Sequence, residues 1–389
     1  MKVLITSDWN LDAINGVVAS MKALMYGLRA RGHEVKILCL SSTHEEKITK
    51  DGWEVPSFSA EMVYPEARMR VGFLGKIYDK VIQWGPDIVH SQCEMSSFFM
   101  AQHIAHECDI PIVHTYHTVY EDYTHYIAGG HIPGAKKIVA KLSKLISGKV
   151  EGILAPTEKV RELLEGYECK CKLYVVPSGI PLEKFRQKLT DEKRQELRNS
   201  YGIKDDEKIA LFLGRVAAEK NIDELMRYIK DCDDKVKLLI AGGGPKLNDL
   251  KKLQSELKLE NKVIFAGMID PDDVWMYYQL GDFFTSASTS ETQGLTYIEA
   301  LSTGLPLLCR KDPCLDDVVI QGQNGYLFEN EDEFMQGMDS VLDMVRDDAY
   351  SRDEIGATAD KFSRECFAKS CEDIYLDAID RHIQKRRWF

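Results

Sequence analysis

Ser290-Glu291-Thr292-Gln293-Gly294-Leu295-Thr296-Tyr297-Ile298-Glu299-Ala300 is the stretch on which the reading of this chain turns. The apolar run Asp282–Ala287 precedes it as a candidate buried strand, and helical spacing of apolar residues begins near Leu295 and continues through Ile298 and Leu301. Leu305-Pro306-Leu307-Leu308 then resumes as a strand. Gly294 therefore stands at a helix start, where unpaired N–H groups and the helix dipole favour an anion and glycine lets it approach the backbone. A diphosphate fits. Glu291 and Glu299 bracket the turn, and carboxylates accept paired hydrogen bonds from vicinal hydroxyls, so one suits a hexose and the other a ribose. Without such a ligand, Glu291 would cap the helix and Glu299 would be a solvated surface residue.

The same alternation extends outwards. Residues 2–7, Glu34–Leu40, Asp87–His90, Ile112–His117, Gly152–Ala155 and Leu173–Val176 read as strands in the first half. Lys208–Leu213, Val236–Ala241, Val263–Ala266, Asp282–Thr285 and Pro306–Leu308 follow in the second, with helical patterns between them. At 389 residues the chain exceeds what one core usually supports. The expected fold class is α/β, with two Rossmann-like doubly wound domains. Val176-Pro177-Ser178-Gly179-Ile180-Pro181 marks the boundary, giving domains at 1–180 and 181–365 and a C-terminal helix at 366–389 that crosses back to the first. The opening βαβ unit lacks G-x-G-x-x-G, so a nicotinamide or flavin cofactor loses support.

Composition narrows the classes further. Hydrophobic content of 44% and charged content of 29% are ordinary for a globular protein. A formal net charge of -12 argues against general nucleic-acid binding and makes any locally basic segment informative. The ten cysteines form no disulfide framework or zinc pattern, and Met1-Lys2-Val3-Leu4-Ile5 reads as a strand rather than a leader, which points to the cytosol. No apolar run approaches about 18 residues, so membrane contact would be peripheral.

Several constellations carry chemistry. The strand Lys208–Leu213 delivers Gly214 and Arg215 to its carboxyl end, with Lys220 five residues on; two cations at that edge suit a diphosphate, although either alone would be an ordinary surface residue. Gly242-Gly243-Gly244-Pro245 either permits close approach to a nucleotide, around its base, or forms a tight turn with Pro245 at the first helical position. Asn15-Gly16 precedes a helix expected from about Val17 to Arg31, and is either a second anion-friendly turn or a simple one. His117 ends a strand within the polar and aromatic segment Thr115–Tyr126, where it could donate a hydrogen bond to a sugar hydroxyl or bind developing negative charge; a lone histidine is otherwise structural.

Taken in order, the Gly16 turn, His117, Gly214-Arg215 with Lys220, Gly242–Pro245 and Glu291 with Glu299 resemble the retaining GT-B glycosyltransferases that carry the E-x7-E signature. The resemblance implies two Rossmann-like domains facing across a cleft, the first for the acceptor and the second for the nucleotide sugar. It implies that Arg215 and Lys220 bind the diphosphate, Glu291 the sugar and Glu299 the ribose. Gly243, Gly294, Leu295 and Thr296 would line the donor site, Gly16 would approach the phosphates, and His117 would meet the donor sugar. No cofactor and no metal are implied. Two departures stand out: Asn15 where many members have a second glycine, and Gln293 where an aromatic residue is common.

Ile14–Ser20 and His114–Tyr123, the latter including Tyr120, are similar to the bacterial glucosyltransferases that act on diacylglycerol to make glycolipids or lipoteichoic acid anchors. That similarity implies transfer of glucose from UDP-glucose to 1,2-diacylglycerol, giving an α-glucoside. The wheel of Gly134–Ile146 is compatible with a lipid acceptor, with Ile138, Val139, Leu142, Leu145 and Ile146 on one face and Lys136, Lys137, Lys141 and Lys144 on the other. Such a helix suits an anionic lipid surface, or packs as an ordinary surface helix. The basic and aromatic end Lys385–Phe389 would be an interfacial anchor, a solvated tail or a docked helix end. The expectation is a cytoplasmic enzyme peripheral to the inner face of the cell membrane. The alternatives are a soluble or polysaccharide acceptor, a sugar-nucleotide epimerase or hydrolase, and a non-catalytic nucleotide-sugar binder.

Overall fold

Val3, Leu4 and Ile5 are wholly buried, as are Ile209, Ala210 and Leu211 in the second half. Strands covered on both faces cannot alternate apolar with polar, so continuous apolar runs mark the centres of parallel sheets. The computed structural model describes residues 1–41, 43, 45–60, 68–72, 75–119, 134–346 and 351–387. Its chain divides into two units, Met1–Ile180 with Arg364–Phe389, and Pro181–Ser363.

The first unit contains β1 (Lys2–Ser7), α1 (Gly16–Ala30), β2 (Glu34–Leu40), β3 (Lys47–Ile48), β4 (Gly52–Val55), β5 (Phe58–Ser59) and β6 (Arg68–Met69). There follow α2 (Lys76–Trp84), β7 (Ile88–Ser91), α3 (Ser96–Cys108), β8 (Ile112–Thr115), α4 (Ala135–Ser147), β9 (Gly152–Ala155), α5 (Glu158–Gly166) and β10 (Lys172–Val175). Its sheet runs β10-β9-β8-β7-β1-β2-β4-β3, with β3 alone antiparallel. The register sets Val3 beside Val35 on one flank and Ile88 on the other. Strand order thus reverses at β1. The pair of two-residue strands β5 and β6 was not read from the sequence, because such short strands carry no period.

The second unit contains α6 (Leu182–Phe185), α7 (Asp191–Ser200), β11 (Lys208–Leu213), α8 (Ile222–Lys230), β12 (Val236–Ala241), α9 (Leu247–Leu257), β13 (Val263–Gly267) and α10 (Val274–Leu280). It continues through β14 (Phe283–Ser286), α11 (Leu295–Ser302), β15 (Leu307–Arg310), β16 (Gly325–Phe328), α12 (Glu331–Arg346) and α13 (Arg352–Ala357). The sheet is wholly parallel in the order β13-β12-β11-β14-β15-β16, so its order reverses between β11 and β14. In open α/β sheets, ligands bind outside the carboxyl ends of the strands at such a reversal.

Finally, α14 (Arg364–Arg387) lies against α1 in the first unit. The approach is close at Gly27, where a Cβ would stand 2.7 Å from both Ala368 Cβ and Arg364 O. Phe367, Cys371, Tyr375 and Ala378 bury the apolar side of α14. Its basic end is docked: Lys385 and Arg381 meet Glu151, while His382 and Arg386 meet Asp109. These pairs fit the docked-helix alternative for Lys385 and Arg386, whose side chains are still 63% and 60% exposed; Trp388 and Phe389 lie outside the described residues.

Candidate functional site

The reversal in the second unit places the loop after β11 and the loop after β14 side by side. Asn221 Nδ2 donates to Ala287 O at 3.1 Å, and Ser288 Oγ donates to Glu219 O at 3.4 Å. Asn221 makes this possible by taking φ +48, a conformation that asparagine tolerates better than most residues. Lys220 is thereby held against the loop that carries Glu291. The two side chains form an ion pair with only 14% and 18% of their surfaces exposed. The cation expected on the diphosphate and the carboxylate expected on the sugar therefore face each other. Arg215, half-buried, follows Gly214 at the end of β11.

Gly294 is the N-cap of α11, in the left-handed region at φ +73, where a glycine offers no capping side chain of its own. A Cβ on Gly294 would lie 2.3 Å from the ring of Tyr297, whose hydroxyl donates to Ser286 Oγ at 3.1 Å and fastens α11 to β14. The first-turn amides of Leu295 and Thr296 open the helix on this rigid base. Glu299 is not a solvated surface residue: it is half-buried and its Oε2 accepts a 2.7 Å bond from Tyr278. Burial pushes its carboxyl above the usual range, and the Tyr278 bond opposes that shift.

The glycine run after β12 serves the chain itself at two of its three positions. Gly242, at φ +143, would drive a Cβ to 1.9 Å from Gly214 O, and Gly244, at φ +157, would drive one to 2.3 Å from Val216 O. Val216 N to Gly243 O at 2.9 Å and Lys246 N to Val216 O at 3.1 Å lace these two loops together. Gly243 instead faces the Met268 thioether, with 2.7 Å from a built Cβ to Sδ. Pro245 is not the first helical residue, since α9 begins at Leu247.

In the first unit, Gly16 is the exposed first residue of α1. Asn15 has φ -156, ordinary extended backbone, so its place there does not depend on tolerance of glycine-like angles; its side chain accepts from Val18 N at 3.0 Å and caps the helix. His117, just beyond β8, gives Nε2–H to Gln92 Oε1 at 2.8 Å. Burial holds its imidazole down to about 4. It is neutral near pH 7, with its Nε2–H directed at Gln92. Elsewhere in the same unit, Asp8 accepts from Ser97 N at 2.7 Å, and burial pushes its carboxyl up to about 6. Tyr120 lies outside the described residues.

The basic helix is split by its packing. Ser143, Ile146 and Ser147 of α4 are buried and Leu142 lies against the core, whereas Ile138 and Leu145 remain 64% and 60% exposed. Lys136, Lys137 and Lys141 are exposed, and Lys144 is engaged by Glu168. Asn221, Gln92 and Tyr278 escaped the sequence reading because each acts through a partner distant in the chain. Among the described residues, no three His, Cys, Asp or Glu side chains stand together as metal ligands do.

Known proteins resemble the chain over both units. The family described as Glycosyltransferase Family 4 matches residues 14–184, and Glycosyl transferases group 1 matches residues 193–361. An α-monoglucosyldiacylglycerol synthase of Streptococcus pneumoniae is 36% identical over 97% of this chain and 86% of its own. One from Acholeplasma laidlawii is 31% identical over 99% of each. Among solved structures, Anabaena HepE in complex with UDP aligns with a TM-score of 0.76 at 15% identity, covering 97% of this chain and 100% of that one.

Proposed function

This chain belongs to the GT-B glycosyltransferases, and we propose that it transfers glucose from UDP-glucose to the free hydroxyl of 1,2-diacylglycerol, forming α-monoglucosyldiacylglycerol at a membrane surface. The observation that carries the reading is the near full-length relationship to two synthases named for that product. Glucose as the donor sugar is supported by the same names, and UDP as its carrier by a neighbour of the same fold, Anabaena HepE, that holds UDP-glucose.

In this reading the diphosphate rests on the start of α11, with Arg215 and Lys220 beside it, where negative charge grows as the sugar–phosphate bond breaks. Glu291 takes hydroxyls of the glucose and Glu299 those of the ribose. Donor binding draws Lys220 from Glu291 towards phosphate, which leaves that carboxylate for the sugar. Gly16 and His117 are assigned to phosphate and sugar by the resemblance alone. The acceptor hydroxyl attacks the face the diphosphate leaves, and the departing phosphate takes its proton, so configuration is retained.

Membrane association is part of the proposal. No helix among the described residues is long and apolar enough to cross a bilayer. Ile138 and Leu145 of α4, exposed and flanked by Lys137 and Lys141, fit a helix lying on an anionic surface. The test is incubation of the protein with labelled UDP-glucose and anionic vesicles containing diacylglycerol, followed by solvent extraction. Label is expected in the organic phase, dependent on diacylglycerol. Label that remains in water would sink the lipid acceptor, and free glucose would move the assignment to a hydrolase.

A further inference from the structure

Tyr278 is fully buried on α10, with its ring edge-on to Phe185 at 5.9 Å and tilted against Phe284 at 6.1 Å. Its hydroxyl meets Glu299 Oε2 at 2.7 Å. An ionised carboxylate only accepts, so the phenol is the donor and the direction of the bond is fixed. Among the described residues no second side chain bonds that carboxylate. A buried tyrosine needs an acceptor, but a neutral one would serve at lower cost than a carboxylate withdrawn from water. The pairing is therefore better explained by what Glu299 needs than by what Tyr278 needs.

We infer that Tyr278 is a positioning residue for the donor's ribose: by holding Glu299 Oε2, it aims Oε1 at the ribose hydroxyls and so sets selection of ribonucleotides over deoxyribonucleotides. This rests on the assignment of Glu299 to the ribose made above. Two packed rings fix the phenol, and one hydrogen bond then fixes the carboxylate rotamer before the nucleotide arrives. Pre-organisation of this kind reduces the ordering cost of binding.

The test is calorimetric titration of UDP and its ribose-deoxygenated analogues into the parent, Tyr278→Phe, Glu299→Ala and the double variant. The parent is expected to prefer UDP, and Glu299→Ala to lose that preference with UDP about tenfold weaker. Tyr278→Phe should weaken UDP about fivefold while leaving the analogues almost unchanged. The double variant should be no weaker than Glu299→Ala alone, because the phenol acts only through the carboxylate. Equal weakening of UDP and analogues in Tyr278→Phe, or an additive double variant, would overturn the inference and mark a packing role. If Glu299→Ala keeps the preference, the ribose assignment falls and the inference with it. If Glu299→Ala loses it and Tyr278→Phe keeps it in full, the inference alone falls.

Discussion

Lys220 and Glu291 neutralise one another in a half-buried pair, and each is assigned to a different part of the donor. Breaking a buried pair from one side leaves an uncompensated charge, which a diphosphate supplied from solution can compensate if the survivor is the lysine. Glu291→Ala is therefore expected to lower transfer by about a hundredfold or more, the scale of a lost transition-state contact. UDP should bind as tightly as to the parent, or more tightly, by equilibrium titration. Collapse of UDP binding in that variant would show that Glu291, not Lys220, holds the nucleotide. The two glutamates and the lysine were legible as residue types; their pairing was not, because 71 positions separate Lys220 from Glu291 and only the reversal of strand order adjoins them.

At the scale of the element, the helical wheel found the apolar residues of α4 but not the division among them. Ile146 faces the core while Ile138 and Leu145 face outwards, a distinction set by the sheet beneath the helix rather than by the helix itself. Lys144 is spent on Glu168, a surface pair of little energetic weight. Replacement of Lys136, Lys137 and Lys141 by Ser should release the protein from anionic vesicles in cosedimentation, each lysine contributing about 1 kcal/mol. Lys144→Ser should change little. Unchanged sedimentation of the triple variant would return α4 to an ordinary surface helix. Strand limits were most legible where burial is two-sided, as at Lys208–Leu213 and Val236–Ala241, which match the expectation residue for residue. The strand read to His117 instead ends at Thr115.

At the scale of the molecule, each unit is a doubly wound sheet whose order turns over at one point, and in the second unit Lys220 and Glu291, the residues proposed for the donor, meet beside that point. Alternation of strand and helix made the architecture legible, because parallel strands need crossovers and crossovers are helices. The glycine run after β12 was legible as a tight approach but not as an approach of the chain to itself, since Gly242 and Gly244 face backbone oxygens of the β11 loop. Retaining glucosyl transfer to diacylglycerol would be read directly from the anomeric proton of the lipid product in NMR. Made from UDP-glucose and diacylglycerol, the product should be a monoglucosyldiacylglycerol with the α-anomeric signature. A β-anomer, or a glucosylated species that is not diacylglycerol, would contradict it.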